Sequence, residues 1–426
     1  MIKKKEFKAG TKKVNIIVLN FVKWLGISFV IGLVLGIIGG AFCYAIGKAT
    51  EFRHEHVWII ALLPIAGVAV AGIYKLLGLL DDKGTNSILN AVRAGEKLSI
   101  KMMLAIMAST ILTHLFGGSA GREGAALQMG GSFAAKVGNI IHLTDKDQRI
   151  MVMCGMSAGF AALFGTPVTS AVFAMEVVVV GIMNYSAIVP CIVSAVTASF
   201  ISSQFGMTPT RFDIPEIPDL TAPNVLKIGV IAILCALVSI LFCLSLKYTS
   251  LIFKKKIPDT LLRAFIGGAI VAALALILQT DIYNGIGSRI IARAFTEKMD
   301  WYMFLLKIAF TAITLGSGFK GGEIVPTLFI GATFGNIMGQ LLGADMGLCT
   351  AVGMVAVFCG VTNCPIASLV LGVEMFGSAD MIYFAIAIAI SYTLSGYYAL
   401  YSDQKMLGSK KKPIDFTKIF SDERSV

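Results

Sequence analysis

Gly117–Ser132 reads GGSAGREGAALQMGGS, and Gly318–Thr333 reads GFKGGEIVPTLFIGAT. Each begins as a glycine-rich turn carrying charge and continues as an apolar helix with a glycine near its first turns. Gly121 pairs with Gly322, and Gly130 with Gly331, at one offset of 201 residues. A second pair lies downstream. Cys154–Val177 is CGMSAGFAALFGTPVTSAVFAMEV, and Val352–Met375 is VGMVAVFCGVTNCPIASLVLGVEM. Here Gly155-Met156, Pro167, Ser170 and Glu176 match Gly353-Met354, Pro365, Ser368 and Glu374 at an offset of 198. The order is the same in both halves: glycine turn, helix, Gly-Met segment, proline-started helix, glutamate. The chain therefore reads as two related halves.

The surrounding sequence places those halves in a membrane. Of 426 residues 56% are hydrophobic and the mean hydropathy is +0.82, too apolar for a water-exposed surface. Charged residues are 14% of the chain and cluster. Six lysines lie in Met1–Lys13, others at Lys254–Lys256 and from Lys405 to Lys418. Between them run stretches such as Trp24–Ile46, Val57–Tyr74 and Ile228–Leu246, long enough to span a bilayer. The net charge of +11 flanks apolar segments, a positive-inside pattern rather than a nucleic-acid footprint. The expected organisation is a basic cytoplasmic N-terminus (1–20), a first transmembrane half (21–205), a linker (206–224), a second half (225–402) and a short cytoplasmic tail (403–426). A multi-pass cell-membrane protein with both termini in the cytoplasm follows. The first apolar segment is too long for a cleaved signal, and the tail is too short for a regulatory domain.

Eight cysteines without Cys-x-x-Cys spacing and four scattered histidines indicate neither a metal site nor a disulfide framework. No cofactor is expected. Duplicated halves point to a transporter or channel with its site between them. Charged glycine turns at membrane depth are tolerated only where protein or a water-filled cavity satisfies the backbone. Helix starts emerging from such turns carry free N–H groups and partial positive charge, so two of them facing each other form an anion site.

Glu123, in Gly121-Arg122-Glu123-Gly124, stands at such a start. An intramembrane carboxylate is costly and marks function. Ionised, it occupies the anion site; protonated, it vacates it. The plainer reading is a capping glutamate paired with Arg122. Glu323, in Gly321-Gly322-Glu323-Ile324-Val325-Pro326, projects near the opposing start, as a proton relay or a structural carboxylate. Glu176 and Glu374, each nine residues after a proline, read as structural groups bonding to a helix end. Thr85, in a polar turn, offers a hydroxyl donor. Tyr401 by itself is an interfacial aromatic. Gly117–Gly121 also fits Gly-x-Ser-x-Gly with His114 nearby, the pattern of an intramembrane serine protease. A nucleophile needs its base on a neighbouring element, and no histidine follows His142.

Together these motifs resemble the CLC family of chloride channels and anion/proton antiporters. Gly121–Gly124 is similar to the family's Gly-Arg/Lys-Glu-Gly motif, Gly321–Pro326 to its second glycine-proline motif, and Ala399–Ser402 to its Leu-Tyr-Ser segment. The resemblance runs from about Trp24 to Ser402. It implies an all-α integral membrane fold of two inverted-topology halves of tilted and broken helices, a homodimer and no enzyme activity. It further implies gating and proton transfer at Glu123, and an anion path lined by Thr85, Tyr401, Gly124, Ile324 and Val325, with Arg122, Glu176 and Glu374 nearby. The departures are specific. The usual Gly-Ser-Gly-Ile-Pro is Gly84-Thr85-Asn86-Ser87-Ile88, Ala125 replaces a proline, and Val177 stands where the internal proton-transfer glutamate is expected. Glu323 precedes Ile324, which replaces a phenylalanine. A glutamate there, and Thr113–Gly124, resemble the fluoride-exporting branch, although Thr85 and Val325 stand where that branch has Asn or Met and Thr. The reading is fluoride export against protons. A chloride/proton antiporter and an uncoupled anion channel are the alternatives, with lipid, protons and fluoride or chloride as partners.

Overall fold

A helix that meets no proline keeps going, and the N-terminal segment shows it. In the computed structural model, which describes residues 2–214, 218–407 and 410, with side chains described from residue 17 onward, α1 runs from Ile2 to Glu55. The basic N-terminus and the first apolar run thus share one helix. The lysine side chains of Met1–Lys13 and the tail 411–426 lie outside the described residues. From Ile17 this helix has 39 residues, about 58 Å at 1.5 Å per residue, more than a bilayer core needs, so it tilts or protrudes.

Fifteen further helices follow among the described residues: α2 Leu63–Leu76, α3 Thr85–Ala94, α4 Ile100–Leu115, α5 Glu123–Ile140, α6 Asp145–Phe164, α7 Pro167–Glu176, α8 Ile188–Ser203, α9 Ala222–Lys256, α10 Thr260–Ile277, α11 Ser288–Arg293, α12 Met303–Ser317, α13 Ile324–Leu342, α14 Met346–Thr362, α15 Pro365–Phe376 and α16 Met381–Leu394. Six helical segments are long and apolar enough to cross a membrane. Five further apolar helices have only 10–17 residues, which is the broken-helix pattern. Local chemistry sets many ends. The side chains of Ser99, Thr144, Asp259 and Asp345 cap α4, α6, α10 and α14. Pro167 and Pro365 occupy the first helical position of α7 and α15, where a missing N–H costs nothing. Two two-residue strands, β1 (Val179–Val180) and β2 (Lys405–Met406), pair in parallel and tie the end of the chain to the segment after α7. No helix occupies the described residues between α8 and α9. α9 starts at Ala222, three residues before the expected second half and within the expected linker, because Pro223 is accepted in a first turn.

The repeated glycines are contact points. A Cβ on Gly130 would collide with the carbonyl of Gly155, and one on Gly331 with that of Gly353. So α5 lies against α6, and α13 against α14, at a separation only small residues allow. The two halves also meet at their glycine turns. Gly121 and Gly322 form an antiparallel bridge, each amide donating to the other's carbonyl at 2.7 Å. The starts of α5 and α13 are thereby set beside each other in the middle of the molecule.

Candidate functional site

The turns before α5 and α13 are built alike. Just past α4 and α12 come Gly117 and Gly318, with φ of 88° and 114°, conformations that a residue with a Cβ rarely adopts. The chain then reverses and enters a new helix with its first amides free.

Glu123 is fully buried at the first position of α5. Its Oε2 accepts from the Arg122 amide at 3.0 Å, and the Arg122 Nε lies 3.7 Å from Oε1. Oε1 itself has no hydrogen-bond partner, nor has Arg122 Nε. The amide of Val325, in the first turn of α13, also faces this carboxylate. The side chain therefore lies between the two helix starts, held by few bonds. Arg122 turns its Nη2 toward the Met207 sulfur at 3.8 Å and does not form a short ion pair.

Glu323 is the residue before α13. It is half-buried, and its Oε2 lacks a hydrogen-bond partner. A Cβ on Gly124 would lie 3.4 Å from that oxygen, which puts the second carboxylate against the start of α5. Ile324 and Val325 are buried in α13's first turn.

Thr85 opens α3 behind Gly84. It is buried, and its hydroxyl accepts from Gln128 Nε2 at 3.4 Å. The same Nε2 donates to the Gly124 carbonyl at 3.2 Å. Tyr401 is buried with its hydroxyl unpartnered. Thr85, Gln128, Glu323 and Tyr401 line one cavity of about 790 Å³, along with Lys320 and Gln404. Glu123 is not among the lining residues.

Glu176 and Glu374 lie apart from the cavity lining. Glu176 accepts from the amides of Ile366 and Ala367 at 3.1 and 2.8 Å. Glu374 accepts from those of Val168 and Thr169 at 3.0 and 2.7 Å. Ser119 pairs with Thr311 at 3.0 Å, while His114 faces the Gly121 carbonyl at 3.4 Å. No hydroxyl–imidazole pair exists at the Gly-x-Ser-x-Gly sequence.

Among the cavity residues that were not expected are Gln128, Lys320 and Gln404. The signal for the first two was present. A glutamine in the apolar stretch Gly124–Gly131 and a lysine inside an apolar glycine turn both need a polar neighbour or an aqueous space. Gln404 gives no such signal, because it follows the last helix in a polar segment.

Among the described residues no cluster of metal-ligating side chains is found. Amide and hydroxyl donors thus stand close to two carboxylates, a chemistry able to hold a small anion.

Known proteins share this architecture. The sequence model of the voltage gated chloride channel family matches residues 66–396. A chloride/fluoride channel protein of Pseudomonas syringae pv. tomato is 36% identical over 395 residues, covering 91% of this chain and 87% of that one. A crystal structure of a CLC-type fluoride/proton antiporter superposes with a TM-score of 0.87 at 34% identity, covering 90% of this chain and 98% of that one. A slow cyanobacterial chloride/proton antiporter shares the fold, with a TM-score of 0.73 at 19% identity, covering 87% and 94%. The chain belongs to the voltage gated chloride channel family, the CLC proteins, and is a membrane transport protein, not an enzyme.

Proposed function

We propose that this protein exports fluoride from the cytoplasm in exchange for protons, as a homodimer in the cell membrane with both termini cytoplasmic. The observation that carries the reading is Glu323. It places a second carboxylate at the start of α13, on the cavity wall with Thr85 and Tyr401 and next to Gly124. Val177, one residue after Glu176, offers no protonatable group in its place. The similarity to a fluoride/proton antiporter structure supports the same reading.

In this mechanism Glu123 is the gate and proton carrier. Ionised, it competes with the anion for the amides at the two helix starts. Protonated, it loses that attraction and leaves the place to the anion. Glu323 serves as the second carboxylate on the coupling route. Gly124, Ile324 and Val325 shape the passage with Thr85 and Tyr401. Fluoride is small and strongly hydrated, so its path needs donors that replace water. Backbone amides, the Thr85 hydroxyl and protonated carboxyls supply them.

Purified protein in liposomes tests the proposal. Fluoride efflux should drive proton uptake, and Glu123→Gln should end proton movement. Chloride flux as fast as fluoride flux would refute the fluoride assignment; fluoride flux without protons would refute antiport. One observation favours a second reading, chloride/proton exchange: the hydroxyl of Thr85 lies on the cavity wall, and a hydroxyl donor suits chloride equally well.

A further inference from the structure

The cavity is ringed mainly by one sign of charge. Lys83, Lys247, Lys254 and Lys320 line it against Asp82 and Glu323, an excess of two positive charges (4 − 2). Lys83, Lys247 and Lys254 are exposed, where water screens them. Lys83 also lies 3.9 Å from Asp403.

Lys320 differs. It is half-buried in the glycine turn, three residues before Glu323. Its Nζ lies 4.0 Å from the ring centroid of Tyr74, a buried residue of α2 whose hydroxyl has no partner. Among the described residues, no carboxylate pairs with Lys320; the ion pairs of the described residues involve other groups. A ring face holds a cation without cancelling its charge. A carboxylate partner would have cancelled it. The ammonium is thus anchored on one side, and its remaining donors are free toward the cavity. Three groups around the same space, Glu323 Oε2, Asp82 Oδ2 and the Tyr401 hydroxyl, also lack hydrogen-bond partners. Such a set of unsatisfied polar atoms needs a ligand or water to complete it.

We infer that Lys320 is an anion-binding residue, the cationic anchor of a capture station for the transported inorganic anion ahead of Thr85 and Tyr401. An ammonium is a compact point charge with three donors, suited to a small, strongly hydrated ion that must exchange water for N–H groups. The station shares a wall with Glu323, so the anion arrives where the second carboxylate is. This rests on the fluoride/proton reading only for the identity of the ion.

The experiment uses full-length protein in liposomes, with initial anion flux measured over a range of fluoride concentrations. Lys320→Met keeps the aliphatic stem on Tyr74 and removes the charge. The half-saturating concentration should rise about tenfold, with the saturating rate changed by less than about twofold, since a single charge acts on binding at this range. Lys320→Arg should restore wild-type half-saturation, and Tyr74→Phe should leave it unchanged. Wild-type half-saturation should rise with inert salt more steeply than that of Lys320→Met. Thermal unfolding in detergent confirms that each variant is folded. Unchanged half-saturation in Lys320→Met would overturn the inference, as would an equal defect in Lys320→Arg, which would make the role one of shape. If the wild type carries chloride in preference, the same series is run with chloride. The fluoride reading then fails while the Lys320 comparison is still read.

Discussion

Glu176 and Glu374 each close the first turn of the helix that carries the other: Glu176 ends α7 and caps α15, and Glu374, in the last turn of α15, caps α7. Four helix amides that would otherwise lack partners are satisfied by two side chains at repeat-related positions. The two caps are not equally costly to lose. Each cap serves one exposed and one buried residue, but Glu176 itself is buried while Glu374 is only half-buried, so water replaces Glu374 more readily. Glu176→Ala should lower unfolding stability in detergent by about 3 kcal/mol and Glu374→Ala by about 1 kcal/mol, the range for stranded amides. Equal losses, or none, would show that the caps do not hold the pair together.

The glycine turns differ in what surrounds them. A Cβ on Gly121 would lie 2.6 Å from Glu123 Oε2, a side-chain atom able to move. Gly121→Ala is therefore expected to fold and to alter flux, because the carboxylate loses its resting place. A Cβ on Gly322 would run into the backbone amide of Gly124, which cannot yield. Gly322→Ala is expected to yield little monodisperse protein on size exclusion. Gly47 on α1 has open space around it, and Gly47→Ala should match the wild type in both measurements.

Lys307 is fully buried on α12. Its ammonium donates to the carbonyls of Tyr283 and Gly285 at 3.0 and 2.8 Å. The Gly285 amide in turn donates to the Gly118 carbonyl at 3.0 Å, in the turn that leads to Glu123. Lys307→Met would leave two buried carbonyls unpaired at one end of that chain of bonds. A loss of about 2–3 kcal/mol in unfolding stability is expected, read by thermal or denaturant melting in detergent. A variant as stable as the wild type would mean that water takes the ammonium's place.

Gln128 donates to the Thr85 hydroxyl oxygen. That occupies one acceptor site and leaves the Thr85 proton free to point into the cavity. Thr85→Val should raise the half-saturating anion concentration about fivefold, the worth of one neutral hydrogen bond, while Thr85→Ser should leave it near the wild-type value. Parity between Thr85→Val and wild type would remove Thr85 from the ion's path.

The repeat was legible because it lies in residue types that cannot be replaced cheaply: glycines where helices touch, prolines that start helices and glutamates that cap them. The positions of Glu123 and Glu323 at helix starts were legible for the same reason, since a charged residue after paired glycines in an apolar setting has few alternatives. Partnerships across the chain were not. Gln128 meets Thr85 across 43 residues, Lys307 supports a loop that supports another loop, and Lys320 rests on Tyr74 from a different helix. Each depends on how helices pack, which no local pattern encodes. Nor was the continuity of α1 legible, because a change from basic to apolar residues looks like a boundary although the backbone sees none.

The Gly121–Gly322 bridge has a consequence for movement. Pulling the starts of α5 and α13 apart would break two short amide–carbonyl bonds in a dry interior, where nothing replaces them. A carrier that rocks one half against the other would have to do this once per cycle. With the midpoint bolted, the proposed mechanism leaves the stroke to something small enough to swing within a fixed frame: the Glu123 carboxylate on a few rotatable bonds.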